Sequence, residues 1–184
     1  MEKIIVASKE ALKKIIKASP PDADLNHLDV SGITDMSYIF NESQFNGDIS
    51  RWDVSNVTSM SWMFSYSVFN GDISRWNVSS INEMFGMFAN SQFNGDISAW
   101  NVSAVTDAGC MFHDSQFNRD ISQWDMSNVT NTAYMFAYSQ FNEDVSEWDV
   151  SNVVKMDGMF VRSKFTGDIS QWNLTGVKGV SPLQ

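Results

Sequence analysis

The sequence predicts a repeat solenoid of the leucine-rich-repeat-like α/β kind, with a short parallel strand and a short helical turn in every 24-residue coil. Three observations carry that expectation. The string Phe-Asn-Gly-Asp-Ile-Ser begins at Phe45, Phe69 and Phe93 and returns with one or two changes at Phe117, Phe141 and Phe165, with no insertion or deletion. A tryptophan keeps the same beat at Trp52, Trp76, Trp100, Trp124, Trp148 and Trp172. The 184 residues are 43% hydrophobic and 18% charged, with 13 Phe, 7 Trp and 11 Met. That composition suits a continuous packed core and not a disordered chain.

In chain order, Lys3 to Val6 reads as a short strand, and Ser8 is placed to N-cap a helix over Lys9 to Lys17. Leu12, Ile15 and Ile16 fall on one face of that helix, and Pro20 and Pro21 stop it. Residues 1–21 therefore read as an N-terminal cap, its apolar face on the first coil and its lysines in water. Residues 22–184 read as the solenoid: one degenerate unit, with Leu28 in the tryptophan place and Phe40 in the phenylalanine place, then six repeats of which the last is incomplete. Within a full unit Ile49, Trp52, Val54 and Val57 have the apolar spacing of a leucine-rich frame. Trp52 and Val54 alternate with Asp53 and Ser55, which predicts a strand that buries the first pair. The segment Thr58 to Phe64 has i, i+3, i+4 apolar spacing, which predicts a helical turn, and Ser67 to Gly71 supplies turn residues. A parallel β-helix with three strands per coil is the alternative, placed second because Met60, Met63 and Phe64 are spaced helically. After Val177 the methionine and phenylalanine positions disappear, and Gly176, Gly179 and Pro182 point to an irregular end. An open edge there predicts a following segment or a homodimer through the C-terminal edge.

The phrase running from Phe45 to Phe64, F-N-G-D-I-S-x-W-D-V-S-N-V-T-x-M-x-x-M-F, resembles the repeat of the BspA-like leucine-rich repeat surface proteins. These carry a 24–26-residue bacterial surface protein repeat catalogued as a domain of unknown function. The resemblance runs from Leu25 to about Val180. It implies a repeat-built recognition module of a kind displayed on cell surfaces, and it brings no catalytic motif with it.

Charge and rare residues narrow the functions. Twelve Lys and Arg against 22 Asp and Glu give a net charge of −10, which argues against nucleic acid and against anionic membrane surfaces as partners. The charge is unevenly placed, since Lys3, Lys9, Lys13, Lys14 and Lys17 outweigh Glu2 and Glu10 at the start. Those same charges interrupt any apolar signal core, and no run of 18 apolar residues predicts a membrane span. The compartment stays open between this reading and the cell-surface or secreted location that the resemblance implies. One Cys and two His leave no intrachain disulfide and no cysteine zinc site, so neither an enzyme nor a cofactor is expected.

Several columns invite chemistry and have a structural reading beside it. The aspartates at 48, 72, 96, 120, 144 and 168 offer stacked carboxylates for Ca²⁺, yet the preferred reading is turn-forming acceptors of backbone N–H groups. The asparagines at 46, 70, 94, 118 and 142 are read as turn structure in the same way. The tryptophan column is read as core and not as a stacking platform. Cys110 and His113 stand three apart but lack an orienting third group, and the Asn-x-Ser/Thr strings arise from the repeat itself.

Variation on a constant frame is the functional signal. Before the tryptophan the chain has Arg51, Arg75, Ala99, Gln123, Glu147 and Gln171, and after it Asp53, Asn77, Asn101, Asp125, Asp149 and Asn173. Arg51 and Arg75 lie toward one end, Asp125, Glu147 and Asp149 toward the other, so a dipolar polar face is expected. Trp62 and Phe85, aromatic at positions the repeat does not fix, are candidate interface anchors. The expected function is a non-catalytic module that binds a protein or glycan ligand through Arg51, Asp53, Arg75, Asn77, Asn101, Asp125, Glu147 and Asp149, with Trp62 and Phe85, in surface adhesion. A structural spacer of a surface protein is the alternative, with Ca²⁺-binding and ice-binding solenoids ranked below it.

Overall fold

The computed structural model describes residues 3–179 and 182. Residues 1 and 2 of the expected cap, and Val180, where the repeat resemblance ends, lie outside them.

The chain begins with β1 (Ile4–Ile5), α1 (Lys9–Ala18) and β2 (Leu28–Asp29). β1 pairs in parallel with β2, Ile4 opposite Leu28 and Ile5 opposite Asp29. Ser8 caps α1 by accepting the Ala11 N–H at 3.2 Å, and the Ser19 N–H closes its other end on the Ile16 carbonyl. The helix turns Leu12 and Ile16 inward, where they are buried with Leu25 and Leu28 of the first coil. A 2.7 Å ion pair between Lys9 and Asp35 ties it to the next turn of chain.

From there on, the organising contact is a hydrogen bond between residues about one repeat apart. The N–H groups of Met60, Trp62, Phe64 and Tyr66 donate to the carbonyls of Glu83, Phe85, Met87 and Ala89 at 2.8–2.9 Å. The same four-bond ladder joins Met84, Gly86, Phe88 and Asn90 to the coil after, and recurs between the other interior coils. Residues between these donors bond within their own coil: the N–H groups of Met63, Ser65 and Ser67 reach the carbonyls of Met60, Trp62 and Phe64. Each coil thus stacks on its neighbour through alternate residues, and parallel bridges run Asp35, Ser59, Glu83, Asp107, Asn131, Lys155.

Two local expectations change. No strand forms at Trp52 to Ser55. The Trp52 N–H bonds back to the Ile49 carbonyl and the Val57 N–H to the Val54 carbonyl, while Asp53 binds the Ser55 N–H. The chain bends twice in nine residues and offers no edge for a ladder. The expected helical turn at Thr58 to Phe64 is also absent. Instead, the i→i+3 turns over 60–63 and 64–67 each carry a left-handed residue in third place, Trp62 at φ 58° and Tyr66 at φ 55°. Alternation of inward and outward N–H groups, imposed by the inter-coil ladder, rules out continuous helical bonding.

The interior coils deliver the same columns of side chains to the core, with Ala108 and Thr132 standing in the column of Met60. Ile49, Trp52, Val54, Val57, Met60, Met63, Phe64 and Phe69 are all buried, and so are their counterparts through the interior repeats. The phenylalanines at 40, 64, 88, 112, 136 and 160 stack with centroids 5.2–5.7 Å apart. Each core tryptophan sends its indole N–H to a carbonyl of the preceding coil, Trp76 to Ile49 and Trp100 to Ile73 among them, at 3.0–3.2 Å. The only polar atom of a large buried ring is therefore satisfied, which lets tryptophan occupy a core place in each repeat.

Candidate functional site

The sequence-predicted face lies on the two bends that flank each tryptophan. The first bend is an aspartate whose Oδ1 accepts the N–H two residues on: Asp48 from Ser50, Asp72 from Ser74, and likewise to Asp168 from Ser170, at 2.8–3.0 Å. Hydrogen bonds from the N–H and hydroxyl groups of these serines, the hydroxyl foremost at Asp72, hold the aspartate carboxyls below the ordinary carboxylate range. The aspartates thus are acceptors of backbone N–H groups, as expected of this column, but the donor is the serine two residues later, so the turn they fix is the bend before the tryptophan and not the one after Asn46. The asparagines do something else. Each Oδ1 accepts the backbone N–H of its counterpart one coil on, Asn46 from Asn70 and onward to Asn142 from Thr166, so they form a ladder between coils.

The second bend uses the same chemistry at the candidate binding residues. Asp53 Oδ1 accepts the Ser55 N–H at 3.1 Å and its hydroxyl at 2.6 Å. Asn77 and Asn101 accept from Ser79 and Ser103, and Asp125 and Asp149 from the N–H groups of Ser127 and Ser151. One carboxyl or amide oxygen is committed to the fold at each position. The rest of the group is exposed. Because Asp and Asn supply that oxygen equally, the fold fixes the acceptor and leaves the charge free to vary. The serine bonds hold Asp53, Asp125 and Asp149 below the ordinary carboxylate range, with Asp149 opposing the shift at Asp125 across one coil.

Arg51, Arg75 and Glu147 are exposed at the turn before the tryptophan, in place of the expected strand. The Arg51 backbone N–H is held by Asn26 Oδ1 at 2.7 Å. The guanidinium groups of Arg51 and Arg75 favour ionised Asp48 and Asp72 in their own coils. At the acidic end Glu147 borders a shallow cleft of 500 Å³ with Glu143, Asp144 and Gln171. Trp62 and Phe85 are not part of this set of bends. They belong to the stacked-turn segment, where they meet edge to face with centroids 5.2 Å apart.

Sequence reasoning missed the exposed column at 42, 66, 90, 114, 138 and 162. All six of its residues have a left-handed backbone, and Tyr66 and Tyr138 are 57% and 44% exposed. Its composition, Glu, Tyr, Asn, Asp, Tyr and Arg, was the available signal, since a position so mixed in chemistry faces water. A second cleft, of 650 Å³, opens between α1 and the first coil, with Lys13, Lys17, Tyr38 and Glu42 on its walls. At Cys110, burial and then the nearby Asp107 push the thiol pKa up, the reverse of what an activated nucleophile needs. The His113 ring packs against Tyr138 with centroids 5.4 Å apart. Among the described residues no three His, Cys, Asp or Glu side chains converge as metal ligands, and no helix is long and apolar enough to cross a membrane.

A family model described as "Mycoplasma protein of unknown function, DUF285" matches residues 10–116 and 92–183, two overlapping stretches that span most of the sequence. The chain belongs to that family. No curated protein and no solved structure matches it.

Proposed function

We propose that this member of the DUF285 family is a non-catalytic recognition module, a solenoid of leucine-rich-repeat type akin to the BspA-like surface repeats, that engages a protein or glycan in adhesion. The parallel bridges beyond the cap fall almost wholly in one column of each coil, which supports a one-ladder solenoid over a three-stranded β-helix.

One observation carries the functional reading. Coil after coil repeats the same core and the same bends, while exposed charge at the columns of Arg51 and Asp53 changes from coil to coil. The bend needs an acceptor oxygen at Asp53 and its counterparts and nothing more. Charge at those places is thus available for a partner. Arg51 and Arg75 set one pole of the face, and Asp125, Glu147 and Asp149 set the other, with Asn77 and Asn101 between them as hydrogen-bonding groups.

The test is capture of partners from the native surroundings by the parent chain and by the double variant Arg51→Glu, Arg75→Glu. The variant is expected to melt with the parent and to lose the captured partner, with a weaker salt dependence. Equal capture by both proteins removes this face from the account. A spacer, the second reading, would capture nothing with either protein.

A further inference from the structure

The aromatic residues of the stacked-turn segment follow a rule of their own. The indole of Trp62 lies over Gly86, its counterpart one coil on, so that a Cβ on that glycine would stand 2.5 Å from the ring. Phe85 lies over Gly109 in the same way, at 2.8 Å, and Tyr134 over Gly158, at 2.7 Å. Each ring rests on backbone that only glycine leaves bare. In both columns the aromatic precedes and the glycine follows. Tyr38 stacks on Trp62 with centroids 6.4 Å apart and planes 19° apart, and Trp62 meets Phe85 edge to face.

This arrangement is not core filling. Trp62 and Phe85 are half-buried, and Tyr38 and Tyr134 are 46% and 45% exposed. Trp62, Tyr38 and Tyr134 also take a left-handed backbone, with φ between 55° and 61°, which bulky residues disfavour. Trp62 has Gly86 under one face and the offset Tyr38 ring over the other, so it offers a partner the part of the indole that those two leave exposed, held in place without rearrangement.

Their surroundings choose the partner. Glu83, exposed two residues before Phe85, pairs across the bridge column with Asp107, which stands two residues before Gly109. Electron-rich ring faces beside carboxylates, on a chain of net charge −10, suit a cation. The molecule makes such a contact itself, with the Arg162 guanidinium 5.7 Å from the centre of the Tyr138 ring. Arginine suits this setting better than lysine because its planar group stacks on a ring while its N–H groups reach a carboxylate.

We propose that the Trp62–Phe85 surface docks an arginine-containing basic segment of a protein partner, with a guanidinium on the part of the Trp62 indole that Tyr38 leaves exposed, paired with the Glu83 carboxylate and with Oδ2 of Asp107, whose Oδ1 is held by the Gly109 N–H and the Asn131 amide. This rests on the reading of the molecule as a recognition module, and it uses residues separate from the columns of Arg51 and Asp53.

Trp62 reports on the contact directly, since the other six of the seven tryptophans are buried in the core column. The full chain is titrated with a fluorescein-labelled (Arg-Gly-Gly)₃ peptide, followed by anisotropy and, with unlabelled peptide, by tryptophan emission. Saturable binding that changes the emission of Trp62 is expected. Trp62→Ala should weaken it about threefold or more, and Trp62→Phe should retain most of it. Glu83→Gln, at an exposed site that leaves folding intact, should weaken binding and flatten its salt dependence, which keeps the test decisive if Trp62→Ala unfolds. Arg51→Glu with Arg75→Glu should bind the peptide at least as well as the parent, so failure of the other face is read separately. Equal binding by Trp62→Ala and the parent would reduce the contact to general attraction and overturn the proposal. A change of Trp62 emission with maltohexaose but not with the peptide would overturn it in favour of a glycan.

Discussion

The two ends of the stack are finished by different means. At the N-terminal end α1 lays Leu12 and Ile16 onto the first coil, and Leu25 and Leu28 are as buried as residues in the middle of the molecule. At the other end the same columns lose cover: Phe165, Ile169 and Val177 are half-buried and Leu174 is exposed, where Phe141, Val145, Val153 and Val150 are buried. The ladders change there too. Thr166 takes the asparagine place and gives both its N–H and its hydroxyl to Asn142, so the asparagine series stops with it. A stack held by nearest-neighbour contacts has graded stability, highest where a coil has two neighbours.

The largest effect that separates the regions is removal of a stacked ring. Phe93 packs between Phe69 and Phe117 and against Phe88, so Phe93→Ala should cost about 3–5 kcal/mol in urea unfolding. Phe165 keeps only Phe141 and Phe160, and Phe165→Ala should cost about half as much. Equal losses would mean that the last coil is covered as well as the central ones.

Next comes Gly86→Ala, which adds a Cβ against the Trp62 ring at a residue with φ 63°. The expected loss is about 1–3 kcal/mol. In a Trp62→Ala background the steric part vanishes and a smaller backbone penalty of about 1 kcal/mol remains. A double-mutant cycle with no coupling between the two sites would contradict the ring-on-glycine arrangement.

The smallest effects concern the acidic bends. The carboxyls of Asp48, Asp72, Asp96, Asp120, Asp144 and Asp168 are lowered on folding, chiefly by hydrogen bonds from the serine two residues on. A group lowered in the folded state stabilises fully above its unfolded pKa, about 3.9, and loses that contribution as the pH falls through the folded value. Melting temperature should therefore hold from neutral pH to about pH 5 and decline below about pH 4. Asp96→Asn keeps the acceptor oxygen, so it should melt with the parent at pH 7 and lose a little less in acid.

The period, the core columns and the exposed charge pattern were legible because each repeats or varies at a fixed 24-residue spacing. The local backbone was not. Trp52 and Val54 alternate with polar neighbours as strand residues do, yet an aspartate or asparagine bend produces the same alternation. Met60, Met63 and Phe64 are spaced as a helix requires, and stacked i→i+3 turns share that spacing. The contact between Trp62 and Phe85 joins two different columns in adjacent coils, so comparison down a single column does not reveal it. The bridging role of the asparagines was hidden for a related reason: an asparagine bonded within its own turn and one bonded to the next coil leave the same residue at the same place.

Hydrogen exchange, followed amide by amide, tests most directly whether neighbouring coils hold this molecule together. The inter-coil donors Met84, Phe88, Ala108, Phe112, Thr132 and Phe136 should exchange most slowly, at rates set by global unfolding. Amides of α1 and the first coil should follow them closely, and those of Trp172 and Val177, bonded only within their own coil, should exchange fastest. If Trp172 and Val177 were as protected as the central ladder, the C-terminal coil would be no less secure than the rest, and the graded nearest-neighbour account would be wrong.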